Sequence, residues 1–211
     1  MKRLIALLSI MLLSVYNLSA EQTYPKDSVT MGSLNGKDFL LHYYQQTLDS
    51  LQKSVEGLSE AQLQFKAGPD RWSISQCLEH IVLTEKAIFA FASKGMSGTA
   101  NPERRKEIKA TDDVIINGMN DRSHKAKADP ALTGKGKYNT SADAIKDLQD
   151  YRKVILDYIN SVPLLDLRNH VSDSPLGVID GFQSFLFIAA HTSRHTLQIK
   201  EVKADVNFPK Q

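Results

Sequence analysis

His191 and His195 stand four residues apart in "FLFIAAHTSRHTLQIKEVK", residues 185–203, a stretch with the pattern of one helix. That spacing puts both imidazoles on one face, a turn apart, where they can share a single atom between them. Ile188, Gln198 and Val202 fall on the same side, so the pair should face inward. A third histidine, His80, lies three residues after Cys77 and one before Ile81, at the edge of the apolar stripe of an earlier helix. Three inward imidazoles lose hydration unless something satisfies them. A divalent ion such as zinc or nickel would do so, bound by ring nitrogens at about 2.0–2.1 Å. Three protein ligands leave a fourth position for water or substrate, as in catalytic zinc sites. A hydrogen-bonded core remains the alternative on spacing alone.

The residues between the paired histidines are Thr192, Ser193 and Arg194. The glutamate of an H-E-x-x-H metalloprotease helix is therefore missing, which excludes that class. Arg194 and Gln198 flank the pair and are candidates for orienting a substrate, and Trp72 for walling a pocket. Glu85 lies five residues beyond His80 and Glu201 six beyond His195, but neither spacing identifies a general base. His42, His124 and His170 sit in polar surroundings and read as solvated surface. Cys77 is the single cysteine, so no intramolecular disulfide forms, and it reads as a small buried side chain.

The elements that must carry these residues are helical. "NGKDFLLHYYQQTLDSLQKSVEGL", residues 35–58, spaces Leu40, Tyr44, Leu48, Leu51, Val55 and Leu58 at three- and four-residue steps. Gly68 and Pro69 break the chain, and "SISQ", Ser73 to Gln76, has the form of a capping box opening the helix of Cys77 and His80. A third helical stretch is predicted over Arg104 to Met119, then a long polar surface crossover from Asn120 to Asn139. "TSAD", Thr140 to Asp143, starts a helix with Ile145, Leu148, Tyr151, Ile155 and Tyr158 in register. Asp180 and Gln183 cap the last helix. No strand pattern and no internal repeat stand out. The expected fold is all-α, an up-and-down four-helix bundle with a long crossover connection.

Residues 1–20 have Lys2 and Arg3 before an apolar run from Leu4 to Leu13 and a polar stretch ending in Ala20, the order of a secretory signal peptide. The run is short for a membrane span, so the mature chain is expected to be exported, periplasmic or extracellular, without stable membrane insertion. The predicted organisation is a signal peptide at 1–20, a leader at 21–34, the bundle at 35–205 and a tail at 206–211. Lys2 and Arg3 are the only charges of the first segment, so of 26 basic and 24 acidic side chains, 24 of each lie beyond it. A net charge of zero argues against nucleic-acid binding, which needs a basic excess for phosphate contacts. The expected partner is a small-molecule substrate or ligand, and a bundle face can also support a homodimer.

"WSISQCLEHIVLTE" followed about a hundred residues later by "HTSRHTLQIKEV" resembles the DinB-like superfamily, which includes YfiT-type proteins. The likeness runs from the first helix to Val202 and takes in "GLSEAQLQFKAGPDRWS" and the segment from Asp121 to Ile155. It implies a four-helix bundle with a metal held by one side chain of the second helix and two of the last, four apart, positions matched by His80, His191 and His195. The activity it implies is metal-dependent hydrolysis through a metal-bound water. The alternatives are transfer reactions that use a low-molecular-weight thiol, or non-enzymatic binding of a metal or small ligand. Thiol cofactors of that kind are cytosolic, which sits poorly with an exported chain.

Overall fold

The computed structural model describes residues 36–125 and 127–210. The predicted signal peptide and leader lie outside these residues. The elements follow in the order α1 (Lys37–Val55), α2 (Glu60–Gln64), α3 (Ile74–Met96), α4 (Asp112–Asn120), α5 (Ser141–Ser161), α6 (Leu164–Asn169), β1 (Val171–Ser174), β2 (Gly177–Asp180) and α7 (Gly181–Lys203). Two short 3₁₀ turns, Pro102–Glu107 and Pro130–Leu132, lie in the connection between α3 and α5.

The four long helices α1, α3, α5 and α7 form the bundle, and α7 is its axis. It buries Phe182, Phe185, Leu186, Ile188, Ala189, Ala190, Ile199 and Val202 around much of its circumference. A helix apolar on several sides must sit among neighbours, and α1, α3, α4 and α6 pack against it. One apolar cluster joins its first half to Leu40, Tyr44, Ile155 and Ile159. A second joins its last turns to Leu51, Leu63, Cys77, Leu78 and Ile81. The histidines of α7 fall between these two clusters in sequence.

Local chemistry sets the boundaries. Ser73 and Gln76 cap α3 reciprocally, Asp180 and Gln183 do the same for α7, and the Thr140 hydroxyl caps α5 by accepting the Asp143 N–H. A further capping box, Ser59 with Gln62, opens the short α2. The stretch predicted as one helix from Arg104 is instead a 3₁₀ turn followed by α4. Thr111 restarts the chain there, its hydroxyl accepting the Val114 N–H, with Asp112 and Asp113 in the first turn favoured by the helix dipole. Around the "SPLG" turn the chain pairs as an antiparallel hairpin, Val171 opposite Asp180 and Ser174 opposite Gly177. These strands are four residues each, too short for alternation to stand out in sequence. No helix among the described residues is long and apolar enough to cross a membrane. At the C-terminus, Phe208 meets Phe65 edge to face and the Pro209 carbonyl accepts from Gln62, so the tail is docked on α2.

Candidate metal centre

One turn of α3 and two of α7 bring the three predicted histidines together. One ring nitrogen of each of His80, His191 and His195 lies within 4.8 Å of the others. The ring centroids stand 5.0 Å (His80–His191), 4.5 Å (His80–His195) and 4.4 Å (His191–His195) apart. Among the described residues no carboxylate or thiol joins this group. His80 and His195 are buried, while His191 is only partly so, which leaves the cluster a side toward solvent.

Hydrogen bonds at the far nitrogens decide which atoms face inward. His80 Nδ1 lies 2.7 Å from the Leu132 carbonyl oxygen. A carbonyl can only accept, so Nδ1 carries the hydrogen and Nε2 presents its lone pair. Thr84 Oγ1 approaches the same ring, 3.2 Å from Nδ1. His195 Nδ1 lies 2.9 Å from Gln198 Oε1 and likewise donates. Its Nε2 then faces His191 Nε2 across 3.1 Å, while His191 Nδ1 is buried without a partner. Without a cation, each neutral form of His191 leaves a deficit. A hydrogen on Nε2 strands Nδ1 as a lone acceptor, and a hydrogen on Nδ1 sets two lone pairs against each other.

A cation between the rings removes that opposition. Nitrogens ligating a tetrahedral ion at about 2.0–2.1 Å stand roughly 3.3 Å apart, close to the 3.1 Å found between the two Nε2 atoms. The donor set therefore fits a divalent first-row ion such as zinc or nickel. Electrostatics agree, because a metal ligand must be a neutral imidazole. Burial lowers the pKa of His80 even though its bond to Leu132 acts the other way. His191 and His195 are held well below the ordinary range, by burial first and then by the neighbouring imidazoles.

Trp72 forms one wall, its ring 4.8 Å from that of His80 at a steep angle and 6.1 Å from that of His195, nearly parallel. The other sequence candidates separate. Gln198 touches the site through His195 and is a positioning residue. Arg194 is turned to the end of α4 and the start of the crossover, donating to the carbonyls of Met119, Asp121 and His124. Glu85 is not free to act as a base: both its oxygens accept from the buried Arg152, and one also accepts from Thr192. Glu201 is gripped by Arg122 at 3.0 and 2.9 Å, a bond that holds its carboxyl below the usual range.

Contrary to the surface position its polarity predicts, part of the crossover closes the site. The Leu132 carbonyl that fixes His80 belongs to it, as does Gly134, which packs against α3 so tightly that a Cβ would lie 2.1 Å from the Gln76 carbonyl oxygen. Backbone acceptors carry no side-chain signature, but the glycine pair in "TGKGK" is a trace of this close approach.

Residues 43–199, most of the described bundle and all three histidines, match the family model of the DinB superfamily. The chain belongs to the DinB superfamily. A relative within reach of sequence comparison is the YuaE protein of Bacillus subtilis (strain 168), 26% identical over 154 residues, which are 72% of this chain and 90% of that one. Among solved structures, YfiT from Bacillus subtilis superposes with a TM-score of 0.55 at 12% identity, covering 89% of this chain and 95% of its own. That protein is described as a probable metal-dependent hydrolase with an unusual four-helix bundle topology. At this identity the likeness establishes the fold alone, a four-helix bundle.

Proposed function

We propose that this DinB-superfamily protein is an exported metal-dependent hydrolase acting on a small molecule, with His80, His191 and His195 as the ligands of a divalent ion. The observation that carries this reading is the convergence of three imidazole nitrogens within 4.8 Å, with His80 and His195 oriented by bonds at Nδ1. A structural zinc site is closed by four protein ligands, whereas three leave a position for a reactant. An ion in such a place supplies Lewis acidity, polarising a substrate oxygen and making water acidic enough to be a nucleophile near neutral pH. The chain's own residues then have separate tasks. The neutral imidazoles hold the ion, Leu132 and Gln198 hold the imidazoles, and Trp72 offers an aromatic wall to whatever enters. The description of YfiT as a probable metal-dependent hydrolase supports the same reaction class. Export is inferred from the basic, apolar and small-residue order of residues 1–20.

The test is a screen of small esters and amides, with thiol conjugates alongside, against zinc- or nickel-loaded protein and the same protein stripped by chelator. Hydrolysis is expected only after loading and should be absent in His191→Ala. Turnover that survives stripping would reject a metal mechanism. Metal binding with no turnover of any compound class would favour a binding protein instead.

A further inference from the structure

Glu79, adjacent to His80, is buried. Successive helix residues point about 100° apart, so Glu79 faces away from the ring cluster and toward the crossover. Its Oε2 accepts three consecutive backbone N–H groups, from Lys135 at 2.7 Å, Gly136 at 2.8 Å and Lys137 at 3.1 Å. Three amides converge on one oxygen because Gly136 takes a left-handed φ of 85°, which curls the backbone into an anion-binding nest. Further bonds hold the same segment to α3. Gln76 Nε2 donates to the Gly134 carbonyl at 3.1 Å, and Ser75 Oγ both donates to the Tyr138 carbonyl and accepts its N–H, at 2.8 and 3.0 Å. Of these partners Glu79 alone is charged, and hydrogen bonds to an ionised acceptor are roughly twice as strong as neutral ones.

The segment so held begins just after Leu132, whose carbonyl fixes the hydrogen on His80 Nδ1. We propose that Glu79 is a positioning residue for the metal centre: it clips residues 135–137 onto α3, thereby holding the Leu132 carbonyl on His80 and leaving His80 Nε2 free as a ligand. The chain is a relay of two contacts. One side chain of α3 grips a strap of backbone, and the same strap, three residues earlier, orients the ring of the next helix residue. The affinity part of this proposal rests on the metal reading above, whereas the orientation of His80 does not.

Two measurements on the full chain test it. The first is the tautomer of His80 in metal-free protein, read from imidazole ¹⁵N–¹H correlation spectra assigned with His80→Gln. The second is the affinity for zinc alone, by competition with a chromophoric chelator. Wild type should show His80 with its hydrogen on Nδ1. Glu79→Ala should shift His80 toward the other tautomer and weaken zinc binding by about 10- to 100-fold, the usual range for loss of an outer support. Glu79→Gln, whose amide oxygen still accepts, should fall between. Gly134→Ala disturbs the same strap independently of Glu79, since its Cβ would collide with the Gln76 carbonyl, and should shift the tautomer in the same direction. It keeps the proposal testable should Glu79→Ala not fold. A merely structural role for Glu79 would lower stability yet leave the His80 tautomer and the zinc affinity unchanged, and that result would overturn the proposal. If no variant and not even wild type binds zinc, the metal reading fails, and the tautomer alone then decides whether Glu79 orients His80.

Discussion

The helices α3 and α7 carry two buried polar clusters little more than a turn apart, and the two are built on opposite principles. Around Glu85 every charge has its complement. Arg152 Nη2 lies 2.7 Å from Glu85 Oε1, both side chains are almost wholly buried, and Thr192 donates to the same oxygen at 2.7 Å. The guanidinium is completed by the Tyr44 carbonyl at 2.6 Å and Thr47 at 3.1 Å. Four helices are tied by groups that need nothing further. Around His80, by contrast, the outer nitrogens of two rings are satisfied and the inner ones converge on one another. A closed polar cluster holds a fold together, while a cluster with its acceptors turned inward calls for a cation. Thr192 and His191 are neighbours in sequence, so a single step along the chain passes from one kind of chemistry to the other.

The largest effect that can break this contrast lies in the closed cluster. Arg152→Met strands the Glu85 carboxylate in the core and should cost about 3–5 kcal/mol, read by urea unfolding. Adding Glu85→Leu should recover much of it, because an apolar pair can replace a buried ion pair at little net cost. His191→Ala in metal-free protein should cost clearly less than Arg152→Met, since it removes a group that lacks a full set of partners. Equal losses in the two clusters would mean that the histidines also act as structural ties, and the distinction would fall.

Unequal legibility in the sequence follows the same division. The histidine triad could be read because spacing of four on one helix and an inward register on another are side-chain patterns. The helix caps of α3, α5 and α7 were readable for the same reason, since Ser, Thr, Asp and Gln act through their own side chains. Arg152 also left a sign: it occupies the inward step between Leu148 and Ile155, where only a paired cation is tolerated. The Leu132 carbonyl left none, because any residue offers that atom. The helix predicted from Arg104 failed for a related reason. Basic residues favour helix in general, but Thr111 with two following aspartates marks the true start. Long-range partners such as Glu79 with residues 135–137 require the fold itself before they can be seen.

An intermediate effect sharpens the contrast through pH. His191 and His195 are held well below the ordinary imidazole range in the folded chain, and His80 below it. The unfolded chain takes up these protons near pH 6.5, the folded chain only at lower pH. Folding stability of the metal-free protein is therefore full above about pH 6.5 and is lost as pH falls toward the folded-state values, by up to about 1.4 kcal/mol per pH unit for each histidine. Unfolding midpoints measured between about pH 5 and pH 8 should show this fall in wild type and a shallower one in His191→Ala with His195→Ala. Identical slopes would show that the rings protonate as freely folded as unfolded, and the inward cluster would lose its electrostatic basis.

The smallest expected effect concerns a single hydrogen bond. Gln198 Oε1 accepts from His195 Nδ1, doing for this ring what the Leu132 carbonyl of the crossover does for His80. A side-chain amide can offer either its oxygen or its nitrogen, whereas a carbonyl offers only oxygen, so His195 is the less firmly set of the two rings. Gln198→Ala should weaken zinc binding by about 10-fold, the lower end of what outer partners contribute. Gln198→Glu should restore or tighten it, because a carboxylate fixes the hydrogen on Nδ1 and raises ligand basicity. Ser193→Ala, which removes a bond to Asn120 from the same helix, serves as a control and should leave the affinity as it is. If Gln198→Ala binds zinc as wild type does while the strap variants do not, orientation of the site comes from α3 alone. The α7 pair would then be held by its helix spacing.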